Sequence, residues 1–208
     1  MYSVAHVVVD TAPFGGGRAE LRRVASLAAR GMLATLLQAS TDIPAEEWRI
    51  GKDARGKPIA STAGEQEVPE VSMSHSRGWV AAAVSTLGPV GIDVECSRAG
   101  RDILGIAEAS FGEAERGEVA NGGADGFYRI WTLREAIAKA DGSGLSLVVD
   151  GRDRVSGMPV VGAWSTVVEG WHWLLMRAQP DDGVHLSLAV ARAGCPNSWP
   201  EGLPVVFG

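Results

Sequence analysis

Cysteine is scarce in this sequence, and long apolar runs are absent from it. The 208 residues include two cysteines, Cys96 and Cys195, and neither belongs to a Cys-x-x-Cys or Cys/His pattern. A disulfide framework or a structural zinc site is therefore not expected. No apolar run approaches the roughly 20 residues that a helix needs to span a bilayer. The first residues have no basic n-region and their apolar run stops at Asp10, so we expect no signal peptide, no membrane partner and a cytoplasmic location.

Lysine is scarce as well. Of the 19 basic residues only three are lysines, at positions 52, 57 and 139, and the 25 acidic residues give a net charge of −6. This acidity argues against a nucleic-acid partner bound through bulk charge. A local anion site stays open, because residues 1–60 hold 8 basic against 6 acidic residues. The hydrophobic fraction of 46% and the length are sufficient for a buried core, which excludes a disordered chain.

Apolar periodicity and turn residues divide the chain into two similar units. Before the Leu87-Gly88-Pro89 junction, the pattern predicts strands at 4–9, 71–74 and 79–85, a helix at 20–38 and a loop over most of 40–70. After the junction, it predicts a strand at 90–95, helices at 102–120 and 127–140, and adjacent strands at 171–177 and 184–191. We therefore expect an α+β fold of two halves, residues 1–88 and 89–208, with an irregular tail from Gly194.

The segment Gly91-Ile92-Asp93-Val94-Glu95 is the most informative part of the sequence. On a strand, alternation puts Gly91, Asp93 and Glu95 on one face, with the two acidic residues about 7 Å apart at Cα. Two carboxylates at that distance can converge on one hard cation such as Mg²⁺, which binds carboxylate oxygens together with substrate phosphates. The alternative is a solvent-facing strand edge that carries ordinary charges.

A second segment runs from Trp131 to Lys139. On the predicted helix, Trp131, Glu135 and Lys139 fall at i, i+4 and i+8 and share one stripe. The stripe could offer a third carboxylate and a cation to the same phosphate, although a surface ion pair between Glu135 and Lys139 explains the same spacing. Since this chain uses arginine almost everywhere, the lysine at 139 favours a role for a compact ammonium there.

Three further segments carry weaker signals. Ser74-His75-Ser76-Arg77-Gly78 has the composition of a turn, in which His75 could donate to an anion or the hydroxyls could simply cap the turn. No Gly-x-Ser-x-Gly elbow is present, so a serine hydrolase is not expected. The stretch 51–58 matches G-x-x-x-x-G-K but has proline where a P-loop needs Ser or Thr, so it is not a Walker A motif. The three glycines at 15–17 are more simply a turn than an anion site.

Taken in order, these segments resemble the paired signature of the 4′-phosphopantetheinyl transferases. Gly-Ile-Asp-Val-Glu at 91–95 is followed after 35 residues by Trp-Thr-x-Arg-Glu-Ala-x-x-Lys at 131–139. Gly-Lys-Pro at 56–58, Ser-His at 74–75, and Phe111 with Glu115 match in order as well. Length and the two halves resemble the larger Sfp-type (surfactin-synthetase-activating) branch. The resemblance covers about residues 20 to 190 and departs at Arg134, where the family generally has lysine.

The resemblance implies two pseudo-symmetric α/β halves with coenzyme A bound in the cleft between them. It implies that Asp93, Glu95 and Glu135 hold Mg²⁺, for which Mn²⁺ is a possible substitute, on the coenzyme A pyrophosphate. The implied contacts to coenzyme A phosphates are Ser74, His75, Arg134 and Lys139. Those implied for the 3′-phosphate or adenine are Lys57, Arg22 and, as a further candidate, Arg30.

The implied reaction transfers the 4′-phosphopantetheine arm of coenzyme A to a serine of an apo acyl or peptidyl carrier protein and releases 3′,5′-ADP. The implied catalytic residues are Glu135, which accepts the serine proton directly or through water, Lys139, which stabilises or protonates the leaving side, and His75. The expected pathways are polyketide, nonribosomal-peptide or fatty-acid synthesis, and we expect a monomer. The alternatives are a phosphatase and a non-catalytic coenzyme A or nucleotide-binding module that docks a carrier protein; only Arg134 in place of lysine supports the module.

Overall fold

The structure is a computed structural model, and it describes residues 4–10, 17–64, 68–159, 162–168 and 171–192. The predicted tail from Gly194, the turn at residues 15 and 16, and Cys195 lie outside these residues. The α-helices are α1 (Arg18–Thr41), α2 (Ile103–Ser110), α3 (Glu113–Asp141) and the short α4 (Leu145–Val148). The strands are β1 (Val4–Asp10), β2 (Arg49–Lys52), β3 (Pro58–Ser61), β4 (Glu70–Ser76), β5 (Trp79–Ser85), β6 (Val90–Cys96), β7 (Gly162–Val168), β8 (Trp171–Asp181) and β9 (Val184–Arg192).

The mixed α and β content confirms the predicted class. Three strands form one antiparallel sheet in the order β1-β5-β4, and four form a second in the order β6-β9-β8-β7. No helix in the described ranges is both long and apolar enough to cross a membrane. The division into residues 1–88 and 89–208 stays a prediction.

Helix α1, the two sheets and helix α3 are stacked as four layers. Alternate residues of β5 form the contact between the first sheet and α1, in which Ala82 and Val84 pack with Leu33 and Leu37. The intervening residues of β5 face the second sheet and share a core with Ile92 and other apolar residues of β6, β8 and β9. The opposite face of that sheet packs on α3. Strand periodicity thus buries both faces of each sheet.

Strand β6 has the predicted alternation. Val90, Ile92 and Val94 lie in the core between the sheets, whereas Gly91 faces α3. A Cβ placed on Gly91 would overlap the carbonyl oxygen of Ala136, so only glycine allows α3 to lie this close to the strand. The close approach brings the side chains of α3 to the carboxylates of β6.

A row of serines joins the two sheets where β4 lies beside β6. Ser72 Oγ accepts from the backbone N–H of Ile92 at 3.1 Å, and Ser74 Oγ donates to Asp93 at 2.7 Å. Ser76 Oγ donates to Glu95 at 2.7 Å. The three serines occupy alternate positions of β4, so all three side chains lie on the same face of the strand and contact β6 at successive positions. The sheet seam therefore fixes both acidic side chains of the Gly-Ile-Asp-Val-Glu segment.

Two sequence predictions for the first half are incomplete. The region 40–70, expected to be mostly loop, contains the β2–β3 hairpin, in which Asp53 Oδ1 accepts from the backbone N–H groups of Arg55 and Lys57 at 2.9 and 2.8 Å. The expected turn at 74–78 is also shorter. Strand β4 continues to Ser76, and the turn consists of two left-handed residues, Arg77 and Gly78, with φ of 49° and 99°. Two-residue turns of this kind match the twist of paired strands.

The helix predicted at 102–120 is divided. Helix α2 ends at Ser110, and α3 begins at Glu113 after the extended residue Gly112. The carboxylate of Asp153 accepts from the first backbone N–H groups of α3, with Glu115 N at 3.0 Å, and so caps the new helix. Helix α3 has a further break at Gly123, where φ is 57°, before the segment that carries Glu135 and Lys139.

Candidate active site

Asp93 is the centre of a polar cluster between β4, β6 and α3. The residue is 4% exposed, and its Oδ1 accepts hydrogen bonds from Ser74 Oγ and from Lys139 Nζ, both at 2.7 Å. Its Oδ2 is buried and has no hydrogen-bond partner among the described residues. Since buried carboxylate oxygens are nearly always paired, this one indicates a site for a further donor or cation.

Lys139 reaches this cluster from the last turn of α3. Its ammonium also donates to Ser74 Oγ and to the carbonyl oxygen of Ile92, each at 3.1 Å. The side chain is 30% exposed, so it keeps access to solvent while it pairs with the buried Asp93. Lys139 therefore presents one positive charge at the edge of an acidic group.

Glu95 and Glu135 complete that acidic group. Burial raises the pKa of Glu95, and the negative charge of Asp93 raises it further, while the Ser76 hydroxyl opposes both. Burial likewise raises the pKa of Glu135, with Asp93 adding to the effect and Lys139 opposing it. The three carboxylates thus repel one another across a partly desolvated space, which a bound cation would relieve.

The predicted metal ligands are close enough to interact, but they do not form a complete coordination shell. No group of three His, Cys, Asp or Glu side chains in the described ranges is arranged to hold a metal ion by itself. Mg²⁺ commonly takes one or two carboxylates and completes its shell with water and substrate phosphates. The unpaired Asp93 Oδ2 beside Glu95 and Glu135 fits that kind of incomplete donor set.

A cavity of about 850 Å³ opens beside the cluster. Its lining comes from the β2–β3 hairpin, from β4 and from the end of α3 with the glycine-rich residues that follow. The tip of the hairpin contacts the end of α3, where Arg55 Nη1 donates to the Gly142 carbonyl at 3.5 Å. The basic residues that line the cavity are Lys52, Arg55, Lys57, His75 and Lys139.

His75 and Lys57 line this cavity. Burial lowers the pKa of His75, a backbone hydrogen bond opposes this, and the charges of Lys139, Arg22 and Lys52 lower it further. Lys57 Nζ lies 2.9 Å from Glu70 Oε2, a pair that is partly exposed. The structure therefore gathers Lys57, Ser74, His75, Glu135 and Lys139 around one space.

Comparison with known proteins shows similarity to one family. The 4′-phosphopantetheinyl transferase superfamily matches residues 89–162, a span that includes both acidic segments. The chain is 28% identical to 4′-phosphopantetheinyl transferase HetI of Nostoc sp. over 178 residues, which are 83% of this chain and 73% of HetI. Residues 89–162 thus match the 4′-phosphopantetheinyl transferase superfamily, and most of the chain resembles one 4′-phosphopantetheinyl transferase.

Two further relatives agree with the Sfp-type assignment. The chain is 32% identical to 4′-phosphopantetheinyl transferase gsp of Aneurinibacillus migulanus over 113 residues, which are 52% of this chain and 44% of gsp. It is 34% identical to 4′-phosphopantetheinyl transferase Sfp of Bacillus subtilis over 83 residues, which are 38% of this chain and 36% of Sfp. The matched regions therefore span less than half of gsp and of Sfp.

Arg134, for which a phosphate contact is expected, has protein partners in the structure. The residue is fully buried, is not among the residues that line the cavity, and pairs with Glu115 at 2.6 Å and Asp150 at 2.8 Å. It also donates to the carbonyl oxygens of Val148 and Arg152 at 2.9 and 2.7 Å. With these bonds, the guanidinium joins α3 to the chain that follows it and is not available to a ligand.

The two arginines of α1 have different positions. Arg30 Nη1 donates to the carbonyl oxygen of Ile50 at 2.6 Å, so it ties α1 to β2 and does not line the cavity. Arg22 is exposed and close enough to His75 to affect the pKa of that imidazole. Arg22 therefore lies at the edge of the candidate site, whereas Arg30 has a structural bond.

Sequence reasoning missed the other basic residues of the hairpin. Lys52 and Arg55 flank the turn at Asp53 and line the same cavity as Lys57. The available signal was the basic stretch from 51 to 58 with Asp53 and Gly56 inside it, which is typical of a tight turn between strands. Residues Gly142 to Gly144, after α3, also line the cavity without having been predicted there.

Proposed function

We propose that this chain transfers the 4′-phosphopantetheine arm of coenzyme A to a serine hydroxyl of an apo carrier protein and releases 3′,5′-ADP. The observation that carries the proposal is the Asp93–Lys139 pair, which lies with Glu135 at the edge of a large cavity lined by basic side chains. A phosphate-rich substrate and a cation-binding carboxylate group would meet at that edge.

The cavity is the proposed site of coenzyme A, in a cleft between two related halves. Its volume of about 850 Å³ is within the range of small-molecule sites. Lys52, Arg55 and Lys57 suit the 3′-phosphate, because they line the cavity from the β2–β3 hairpin, whereas the carboxylates lie on β6 and α3. Ser74 and His75 suit the pyrophosphate, since they lie next to Asp93 and Lys139.

Asp93, Glu95 and Glu135 are the residues that would hold a magnesium ion. The unpaired Oδ2 of Asp93 and the raised pKa values of Glu95 and Glu135 support a cation there. When bound, the ion would supply charge neutralisation to the pyrophosphate of coenzyme A. Manganese has the same preference for oxygen ligands and is the expected substitute.

Glu135 and Lys139 carry the proposed chemistry. The serine oxygen forms a bond to the β-phosphorus of coenzyme A, and the bond from that phosphorus to the bridging oxygen breaks, so 3′,5′-ADP leaves. Glu135 accepts the serine proton, and its raised pKa keeps it a stronger base than an exposed carboxylate once it is ionised. Lys139 places its ammonium beside the leaving oxygen, where negative charge develops.

The end of β6 that carries Glu95 is the proposed entrance for the carrier protein. A second cavity of about 190 Å³ adjoins Glu95 and is lined by Arg77, Arg98 and Arg101. Arg77 and Arg98 are exposed, whereas Arg101 lies over the rings of Phe127, Tyr128 and Trp131. With coenzyme A in the larger cavity, an acidic carrier surface would meet these arginines and bring its serine to Glu135. The expected carriers belong to polyketide, nonribosomal-peptide or fatty-acid synthesis.

Intact-mass measurement on apo carrier proteins tests the function. The chain is incubated with coenzyme A, Mg²⁺ and each of several carriers, and one carrier should gain the mass of a single phosphopantetheine arm. A carrier in which the acceptor serine is alanine should gain nothing, and a chelator should abolish the gain. No mass gain on any carrier, with coenzyme A binding intact by calorimetry, would support the binding module instead.

The two alternatives have less support. The binding module rested on Arg134, and that residue is buried among protein partners away from the cavity. A phosphatase would release inorganic phosphate from simple esters, which a colorimetric assay detects in the same reactions. It would leave the hairpin cations and the large cavity without a role.

A further inference from the structure

Arg177 on β8 is a buried cation with an incomplete set of hydrogen bonds. The residue is 3% exposed, and its Nη1 donates to the carbonyl oxygens of Met158 and Pro159 at 3.2 and 2.9 Å. Its Nε and Nη2 have no partner in the described part of the chain. Unpaired buried donors are rare and destabilising, most of all on a charged group. These two N–H groups therefore indicate a missing acceptor.

The geometry of the guanidinium shows what kind of acceptor fits. Nε and Nη2 lie on one edge of the planar group, and their N–H bonds point in the same direction. This edge is the fork with which arginine binds an anion through two parallel hydrogen bonds. The Met158 and Pro159 carbonyls hold the other edge, and the ring of Trp164 lies 5.7 Å from the guanidinium carbon. The fork is thus fixed before any ligand binds.

Arg177 lines a small cavity between α3 and strands β8 and β9. The volume of about 10 Å³ is close to the least that holds one water-sized particle. The lining also includes Arg129 and Thr132 of α3, and His185 and Ser187 of β9, but no aspartate or glutamate. The cavity therefore has two guanidinium groups and no carboxylate to balance them.

The nearest acidic residues do not cancel this positive charge. Burial lowers the pKa of Arg177 to about 10, and the charge of Arg129 lowers it further, while Glu118 and Glu115 act in the opposite sense. Glu115 already pairs with Arg134 at 2.6 Å, and Glu118 Oε1 accepts from the backbone N–H of Gly157 at 2.6 Å. An acceptor inside the cavity could pair with the free edge of Arg177 and would lie in the same cavity as Arg129.

We propose that this cavity binds one small monovalent anion, of the size of chloride, on the Arg177 fork beside Arg129. The particle must accept from Nε and Nη2 of Arg177 with the charge of Arg129 nearby, and an anion does so with a gain of charge neutralisation that a water molecule lacks. The cavity has room for about one water-sized particle, which favours a single-atom anion over phosphate or a carboxylate ligand. The Arg177 fork and its cavity would bind the anion whether or not the chain acts as a transferase.

The anion would fasten α3 to the sheet behind the carboxylates. Arg129 and Thr132 lie on α3 before Glu135, and Ser187 of β9 is the register partner of Asp93. An anion between Arg177 and Arg129 would join β8 to α3 at this level. We therefore expect it to stabilise the folded chain without contacting coenzyme A.

Thermal unfolding in chloride against gluconate, at constant ionic strength, tests the site. The unmodified chain should show a saturable rise in Tm with chloride, of about 3–6 °C at ten times the Kd. Arg177→Met should abolish the rise, whereas Arg116→Met, which removes a partly exposed arginine elsewhere on α3, should keep it. Equal Tm values in chloride and gluconate, or an equal rise in Arg177→Met, would overturn the proposal.

Crystals of the unmodified chain provide a second measurement if Arg177→Met fails to fold. Bromide replaces chloride at such sites and scatters anomalously, so an anomalous difference peak is expected within hydrogen-bond distance of Arg177 Nε and Nη2 at millimolar bromide. A water molecule in that position would contradict the proposal. A peak that needs molar bromide, with no effect of chloride on Tm, would mean binding at crystal concentration only and would contradict it as well.

Discussion

Lys139 and Asp93 form an ion pair of 2.7 Å between α3 and β6, and the pair leaves Oδ2 of the aspartate unbonded among the described residues. One carboxylate oxygen is thus neutralised by the chain, while the other is unpaired, and the charge of Asp93 helps to raise the pKa values of Glu95 and Glu135. This asymmetry fits a site that holds a cation on one side and a phosphate beside the ammonium on the other.

Removing the charge of Asp93 should stop catalysis without unfolding the chain. Asp93→Asn keeps the size of the side chain but weakens its hold on both Lys139 and a metal ion, so the rate of carrier modification should fall about 10²-fold or more. The rate is measured by intact mass at saturating coenzyme A, and circular dichroism checks the fold. Asp42→Asn, at the exposed end of α1, is the control and should keep the full rate. Equal rates in both variants would refute the assignment.

Glu135→Gln removes the proposed proton acceptor and weakens the proposed metal site at the same position. The amide keeps the shape of the side chain but cannot accept the serine proton, so single-turnover rates should fall by about 10²-fold or more. Because the pKa of Glu135 is raised, the activity of the unmodified chain should fall at a higher pH than it would with an ordinary carboxylate as the base. The variant should lack that dependence. Glu113→Gln, at the exposed start of α3, is the matched control. An unchanged pH profile in Glu135→Gln would exclude it as the base.

The acidic segment of β6 and the helical stripe of α3 could be predicted because each depends on local periodicity. Period-two alternation was sufficient to put Asp93 and Glu95 opposite Ile92, and period 3.6 put Glu135 and Lys139 on one side of the helix. Gly91 was predicted to share one face of the strand with the two carboxylates. In the structure the backbone of α3 lies against Gly91, and this close approach brings Lys139 to Asp93.

The features that the sequence did not reveal depend on tertiary contacts. The β2–β3 hairpin consists of two four-residue strands with mostly exposed side chains, so it has little hydrophobic pattern to detect. Arg134 follows Leu133 on α3 and precedes Glu135, and its neighbours in sequence do not show that Glu115 and Asp150 will pack beside it. Family position suggested a phosphate contact, whereas burial and paired charges give it a structural role.

Replacement of Arg134 should therefore affect stability more than coenzyme A binding. Arg134→Met leaves Glu115 as a buried carboxylate without its partner, and the free energy of unfolding should fall by about 3–5 kcal/mol. Urea unfolding measures the loss, and calorimetry on the variant that remains folded measures affinity for coenzyme A. Lys57→Met, in the cavity lining, should show the reverse pattern. A large loss of affinity for coenzyme A with unchanged stability in Arg134→Met would instead support a contact between Arg134 and a phosphate.

Gly91→Ala tests the close packing that positions Lys139. The added methyl group would overlap the Ala136 carbonyl, so α3 must shift away from β6 and the Lys139–Asp93 contact must lengthen. We expect both a loss of stability of about 1–3 kcal/mol and a lower rate of carrier modification. Gly117→Ala, on the exposed side of α3 with open space around it, should instead be neutral or stabilising by up to about 1 kcal/mol. Similar unfolding curves for both variants would contradict the packing argument.

His185 should make the fold less stable in mild acid. Burial lowers its pKa from 6.5, Asp125 opposes this and Arg129 adds to it, so the unfolded chain binds a proton more readily than the folded chain does. Its contribution to stability is therefore complete above the unfolded pKa of 6.5 and is lost as the pH falls below that value, by at most about 1.4 kcal/mol per pH unit. Urea unfolding at pH 7.5 and 5.5, at constant chloride, measures the loss. His185→Gln cannot titrate and should show a smaller difference between the two pH values, even though it loses the stacking of His185 on Tyr128 at both. The same difference in both proteins would assign the acid sensitivity to other groups.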